Sequence, residues 1–336
     1  MKYIRSIVAV VALLGLSQAG FAQLATVDYP ARVAAVAPFI DAQTVAIVHA
    51  DLTKVDFPAM LKTFYQFVPS TGQEEQTQIQ GVIAMATGVR EQLLKAGAVD
   101  WYMIGTMAHA NSNSPGFVVV TVRPGGDANA VMGVLSLSPQ KLFLHKGAVV
   151  IGPEGIQDWL ATFQPASRED FVAGFKAAGN TAVQAVFVHS ADTRALAGTA
   201  LPPVPDEAGG SALKTLAEKT EWVAISANLP PTPAFALIVE MQDTAAAEAV
   251  KSGAVTALNA FKGAIPQADP AAGDKLVALL TPQVTGKQLR IILTEANGGI
   301  AGIGKALAVP VTAARKAAMA NKKAGEGTPP PLPGNP

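Results

Sequence analysis

One feature restricts the fold of this 336-residue chain more than any other: the order of its patterns occurs twice. A helical stretch over residues 30–39 leads into Thr44-Val-Ala-Ile-Val-His-Ala-Asp51. A second, over residues 167–178, leads into Val183-Gln-Ala-Val-Phe-Val-His-Ser-Ala-Asp192. Both run helix, β-rich strand, His, then Asp. Val99-Asp-Trp-Tyr-Met-Ile104 is matched by Thr220-Glu-Trp-Val-Ala-Ile225, which pairs Trp101 with Trp222. A turn and an apolar strand follow each, over residues 117–122 and 235–240. Then comes an Asp-led helix, with Asp127 and Asp243 as N-caps. Each copy closes with a β segment and a helix. Lys146-Gly147 and Gly286-Lys287 mark the tight turns of the two closing hairpins. The first copy also holds a long amphipathic helix over residues 74–96, ended by Gly97.

The repeated order is β-α-β-β-α-β with extra helices, an α+β pattern of the split βαβ, ferredoxin-like kind. It predicts two tandem modules, over residues 23–165 and 166–320. In each, strands 1 and 3 would be central and parallel, and strands 2 and 4 outer. The strand faces add a requirement. From Phe117 to Val122 only Thr121 is polar, so both faces of the strand are apolar. A sheet with one wet face would alternate. A second layer must therefore cover the other face. The candidates are the sister module, the extra helices or another copy of the chain, and packing of the two modules into one core is the favoured reading.

The two ends read differently. Residues 1–22 carry Lys2 and Arg5, a ten-residue apolar core over residues 7–16, and Gly20 and Ala22 before a cleavage point, the pattern of a secretory signal. Ten apolar residues are too few to cross ~30 Å of hydrocarbon. Residues 321–336 are polar and then proline-rich, which predicts a tail without packed structure. The whole chain has 25 basic and 25 acidic side chains. Removing residues 1–22 leaves 23 against 25, a net charge of −2. That balance gives no electrostatic footprint for nucleic acid. The absence of cysteine excludes disulfides, thiolate metal sites and thiol nucleophiles. No span of the mature chain is apolar for long enough to cross a membrane.

Candidate chemistry is sparse. His49 and His189 occupy matched places, each just before an aspartate, Asp51 or Asp192. If the modules pack symmetrically, two imidazoles and two carboxylates could converge on a divalent metal. The competing reading is a copied strand-end residue with an Asp capping the next helix. His109 and His145 read as solvated. Gly299-Ile-Ala-Gly-Ile-Gly-Lys305 fits a phosphate loop until Ala306, which stands where Ser or Thr would hold magnesium. The acidic pairs Glu74-Glu75, Glu169-Asp170 and Asp206-Glu207 read as solvated faces. Residues 299–323 form an amphipathic stretch with Ile300, Ile303, Leu307 and Val311 on one side, read as packing on its own module. Resting on a membrane surface is its other use.

Two phrases resemble a known group. Phe39-Ile-Asp-Ala-Gln-Thr-Val-Ala-Ile-Val-His-Ala-Asp-Leu-Thr-Lys-Val55 resembles the opening of exported, uncharacterised bacterial proteins of planctomycete type. Pro282-Gln-Val-Thr-Gly-Lys-Gln-Leu-Arg-Ile-Ile-Leu293 is similar to their closing hairpin. The resemblance implies a duplicated α+β domain and carries no activity, cofactor or functional residue.

The expected function is therefore a non-enzymatic binding or structural module of the periplasm or cell surface. It would take a protein or envelope partner and no cofactor. The alternative is a metal-dependent or carboxylate-based hydrolase at the module interface, near His49 and His189.

Overall fold

The computed structural model describes residues 29–59, 73–107, 116–136, 140–200, 204–206, 209–229, 233–264 and 270–299. The expected signal, the proline-rich tail and the C-terminal amphipathic stretch after Gly299 lie outside these residues. In chain order the elements are α1 (Tyr29–Val36), β1 (Thr44–Asp51), α2 (Gln73–Ala96), β2 (Ala98–Thr106), β3 (Gly116–Val122), α3 (Ala128–Leu135), β4 (Lys141–His145), β5 (Ala148–Gly152) and α4 (Ile156–Thr162). There follow α5 (Glu169–Ala178), β6 (Val183–Val188), α6 (Ala191–Ala200), α7 (Gly210–Lys219), β7 (Thr220–Ala227), β8 (Ala234–Met241), α8 (Thr244–Ala264), α9 (Pro270–Leu280), β9 (Gln283–Thr285) and β10 (Gln288–Thr294).

All ten strands join one sheet, in the order β4-β5-β3-β2-β1-β6-β7-β8-β10-β9. Every ladder is antiparallel. The fold is α+β, but the split βαβ pairing does not form. β2 lies between β1 and β3, so the strands expected to be central and parallel are not neighbours. The cause is where the connections return. The Leu52 N–H donates to the Val99 carbonyl at 3.0 Å, so residues 52–97 leave and re-enter at one end of β1. Parallel pairing needs a crossover to the far end, and none is made.

From the centre outward the two halves have the same order: β1, β2, β3, β5, β4 and β6, β7, β8, β10, β9. Their backbone bonds match too. Leu52 N–H to Val99 O and Arg123 N–H to Gly97 O have counterparts in His189 N–H to Glu221 O and Gln242 N–H to Lys219 O. On these landmarks His189 takes the place of Leu52, and Trp222 that of Asp100. The residue matches drawn from sequence are therefore displaced. Trp101 pairs with Val120 and packs on the cluster under α2 and α3. Trp222 lies on the opposite face, in the cluster under α5. In strands a displacement by an odd number of residues moves a side chain to the other face.

Helices cover both faces, as strands apolar on both sides require. The front face carries Ile47, Tyr102, Ile104, Val186 and Ala224. It is covered by α1 through Val33 and Val36, by α4 through Ile156 and Leu160, and by α5 through Phe171 and Phe175. This cluster draws on both halves. The back face has one cluster under α2 and α3 around Leu93, Val120 and Val131, one under α8 around Val239, Met241 and Ala247, and a smaller one at the seam around Val55, Val183 and Leu229. The halves thus join edge to edge, through β1 and β6, rather than face to face. Each buried Phe, Leu, Ile or Val contributes about 1.5–3 kcal/mol relative to exposure.

Local signals form as the sequence predicts. The Asp127 carboxylate caps α3, accepting from Asn129 N at 2.9 Å and Ala130 N at 3.0 Å. Asp243 accepts from Ala246 N at 2.7 Å. Gly97 ends α2 at φ 98°, and Lys146 and Gly147 turn the first hairpin at φ 48° and 80°. Among the described residues, no helix is long and apolar enough to cross a membrane.

Candidate functional site

The halves meet along five cross-strand pairs: Ala46–Phe187, Ile47–Val186, Val48–Ala185, His49–Gln184 and Ala50–Val183. Four are apolar. The fifth, His49–Gln184, is polar and sits on the front face, with both residues fully sealed from solvent. A buried polar pair must find its hydrogen bonds inside the protein. This one finds them through a chain that crosses the seam.

The Gln184 Nε2 donates to the Gly179 carbonyl, which leaves its Oε1 as the acceptor. Arg32, on α1, donates to that oxygen from Nη1 and to Asn180 Oδ1 from Nη2 at 2.9 Å. The His49 Nδ1 also faces Gln184 Oε1, at 3.1 Å. Its Nε2 faces the Asp100 carboxylate on β2, at 2.7 Å. Two oxygens thus face one imidazole, and the tautomer decides which ring nitrogen donates. Tyr102 stacks beside His49, with ring centroids 4.8 Å apart, and Phe175 closes the other side.

The cluster reaches the surface at one end. Lys54 Nζ donates to Asn180 Oδ1 at 2.6 Å and pairs with Asp51 Oδ2 at 3.1 Å. Burial pushes the Asp51 carboxyl up, but hydrogen bonds from Thr53 and Lys54 and the Lys54 charge outweigh it, so it titrates below its ordinary 3.8. The Tyr102 hydroxyl is buried and makes no hydrogen bond. Burial and the Asp100 charge raise its pKa well above the ordinary tyrosine range, with Arg32 opposing.

The structure does not bring the four sequence candidates together. His189 lies one residue past the end of β6, five residues along the strand from Gln184, the partner of His49. At ~3.3 Å per residue that is ~16 Å from His49. Burial and Arg194 hold the His189 imidazole below its ordinary 6.5. Asp192 is exposed in the first turn of α6. Asp51 is held by Thr53 and Lys54. His49 has no ring nitrogen free for a metal. Among the described residues, no group of three or more His, Cys, Asp or Glu side chains could hold an ion. His145 is not the solvated residue expected. Its Nε2 is buried, its ring meets Phe39 at 5.7 Å, and burial with Lys146 holds its pKa below 6.5.

Sequence reasoning missed Asp100 and Gln184 as partners of His49, and Arg32 as the partner of Gln184. A faint signal existed. Gln184 is the one polar residue of Val183–Val188, and Arg32 the one charge of Tyr29–Val36.

A second feature lies beside the surface end of the cluster. A cleft of about 330 Å³ opens between residues 53–58 and α2, lined by Lys54, Asp56, Phe57, Thr87, Arg90 and Glu91 among others. Arg90 Nε donates to Leu52 O at 2.7 Å, so its guanidinium ties α2 to the end of β1. The Thr87 hydroxyl is buried there without a partner. Positive and negative charges are mixed, which selects no charge class of ligand.

Compared with known proteins, the chain matches no family model, no curated protein and no solved structure.

Proposed function

We propose that this chain is exported on the signal of residues 1–22 and acts as a non-enzymatic binding or structural module of the periplasm or cell surface. We also propose that its halves descend from one duplicated unit; the common strand order and the matched backbone bonds support that origin. One observation carries the functional reading. The most catalyst-like pair in the described chain is His49 with Asp100, and its imidazole is closed to substrate. His49 is fully buried, and both its nitrogens are committed. General acid–base catalysis needs a group within hydrogen-bond reach of a bound substrate. Exposed Val82 and Met85 on α2, Phe187 on β6 and Leu213 on α7 suit contact with a protein or envelope partner.

The metal-dependent form of the hydrolase reading would use His49 and His189 in one site, and their separation speaks against it. Metal analysis of the purified chain tests this. Stoichiometric zinc that disappears in a His49→Ala, His189→Ala double variant would overturn the non-enzymatic reading; no bound zinc is expected. Mass spectrometry of the exported protein should find Gln23 at its N-terminus. A full-length envelope protein beginning at Met1 would remove the cleaved-signal reading.

A further inference from the structure

We infer that the buried His49–Gln184 pair is the register lock of the seam between the two halves. The seam strands give little other register information. On the front face Ile47 meets Val186, and on the back face Ala46, Val48 and Ala50 meet Phe187, Ala185 and Val183. A strand pair that slides by two residues keeps every side chain on its own face. Such a slide would still set apolar residues opposite apolar residues at most of these positions. Among the five seam pairs, His49–Gln184 is the one whose side-chain hydrogen bond such a slide would break.

The loss would be large, because neither residue can turn to water. In the observed register Gln184 Oε1 accepts from Arg32 and faces His49 Nδ1, while its Nε2 is tied to the Gly179 carbonyl. A slide in one direction sets His49 opposite Val186, and in the other opposite Ala182. Either leaves a fully buried imidazole and a fully buried amide without each other. An orphaned buried polar group costs more than a made hydrogen bond returns.

Near-symmetry makes a lock useful here. On the backbone landmarks of the two halves, His49 corresponds to Val186 and Gln184 to Ile47. The pair His49–Gln184 and its neighbour Ile47–Val186 therefore occupy equivalent places about the seam. One is polar and one apolar, so the polar pair distinguishes settings that the backbone alone leaves similar. Asp100 from β2 holds the histidine, while Arg32 from α1 and the Gly179 carbonyl hold the Gln184 amide, with Asn180 accepting from Arg32. Buried polar groups can set register at a cost in stability.

The chain has no cysteine, so engineered pairs report register cleanly. Val48→Cys with Ala185→Cys reads the observed register, and Val48→Cys with Phe187→Cys reads a slide by two. Directly opposed strand residues fall within disulfide reach, and diagonal ones fall outside it. In the otherwise unchanged full chain, only the first pair should oxidise to a disulfide. The test places each pair in a His49→Ile, Gln184→Val background, which copies the neighbouring apolar pair. The expected result is a folded protein in which the second pair also crosslinks, in yield comparable to the first. Crosslinking of the first pair alone in a folded variant would overturn the proposal. So would a variant that fails to fold by circular dichroism, since the pair would then serve stability rather than register.

Discussion

His49 and Gln184 stand directly opposite one another on the two strands that join the halves, and neither is exposed. Their contact is the point where α1, β1, β2, β6 and the loop after α5 are tied together. Four of the five seam pairs are apolar and contribute area. This one contributes direction, because hydrogen bonds have geometry and apolar contact largely lacks it. The following expectations come from that centre and from the packing around it.

Asp100 is the charged end of the chain through His49. Asp100→Ala leaves the buried Nε2 without an acceptor and should destabilise the protein by about 1.5–3 kcal/mol, the range for hydrogen bonds to charged groups. Asp100→Asn, which keeps an acceptor oxygen, should lose less. Urea unfolding midpoints measure both, and equal losses would show that the carboxylate does not hold the ring.

Tyr102 presents the opposite case. Its hydroxyl is buried without a partner, so it contributes nothing to offset its own desolvation. Tyr102→Phe should be neutral or stabilising, by no more than about 1 kcal/mol. A clear drop in Tm would mean that the hydroxyl makes a bond in solution, through water or through Asp100.

Gly174 lets α5 lie close on β6. A Cβ there would overlap the Val186 Cγ1 methyl on the seam strand. Alanine is the better helix former by about 1 kcal/mol. Overpacking at a tight contact typically costs about 1–3 kcal/mol. Gly174→Ala should therefore destabilise despite its helix propensity, and a raised Tm would place α5 farther from the sheet.

His189 gives a pH dependence with a definite sign. Burial and the Arg194 charge hold its pKa below 6.5 in the folded chain, so the unfolded chain takes up its proton first as pH falls. Its contribution is complete above about pH 6.5 and is lost as pH drops from there toward the lower folded value. Denaturation at pH 7.5 and 5.5 should show a stability loss that is smaller in His189→Gln. His145, held low by burial and Lys146, adds to the same trend. A loss in His189→Gln identical to that of the unchanged chain would assign the trend to other groups.

Local features were readable from sequence because their causes are local. Asp127 and Asp243 cap helices through amides two or three residues away. Gly97, and Lys146 with Gly147, mark turns through their own φ angles. The start of α5 has no side-chain cap; Arg168 there binds Asp170 at 3.0 Å and the carbonyls of Asp41 and Thr44. Residue-level matching between the copies was not readable. Aligning His49 with His189 and Trp101 with Trp222 follows identity of letters, and pairing geometry sets those residues at different places or on opposite faces. The cluster around His49 was equally hidden, since Gln184 lies 135 residues after His49, and Arg32, which binds Gln184, lies 152 residues before that glutamine.

The sequence by itself determined the element order, the turns, the helix ends at Asp127, Asp243 and Gly97, and the need for cover on both faces of the strands. Those follow from side-chain periodicity and from backbone preferences within a few residues. Tertiary structure alone decided that the two halves would share one antiparallel sheet, and that His49 would be sealed against Gln184 instead of meeting His189. Apolar strands state how much surface must be buried but not against which neighbour. That choice falls to the buried polar groups, whose hydrogen bonds can be completed in one register.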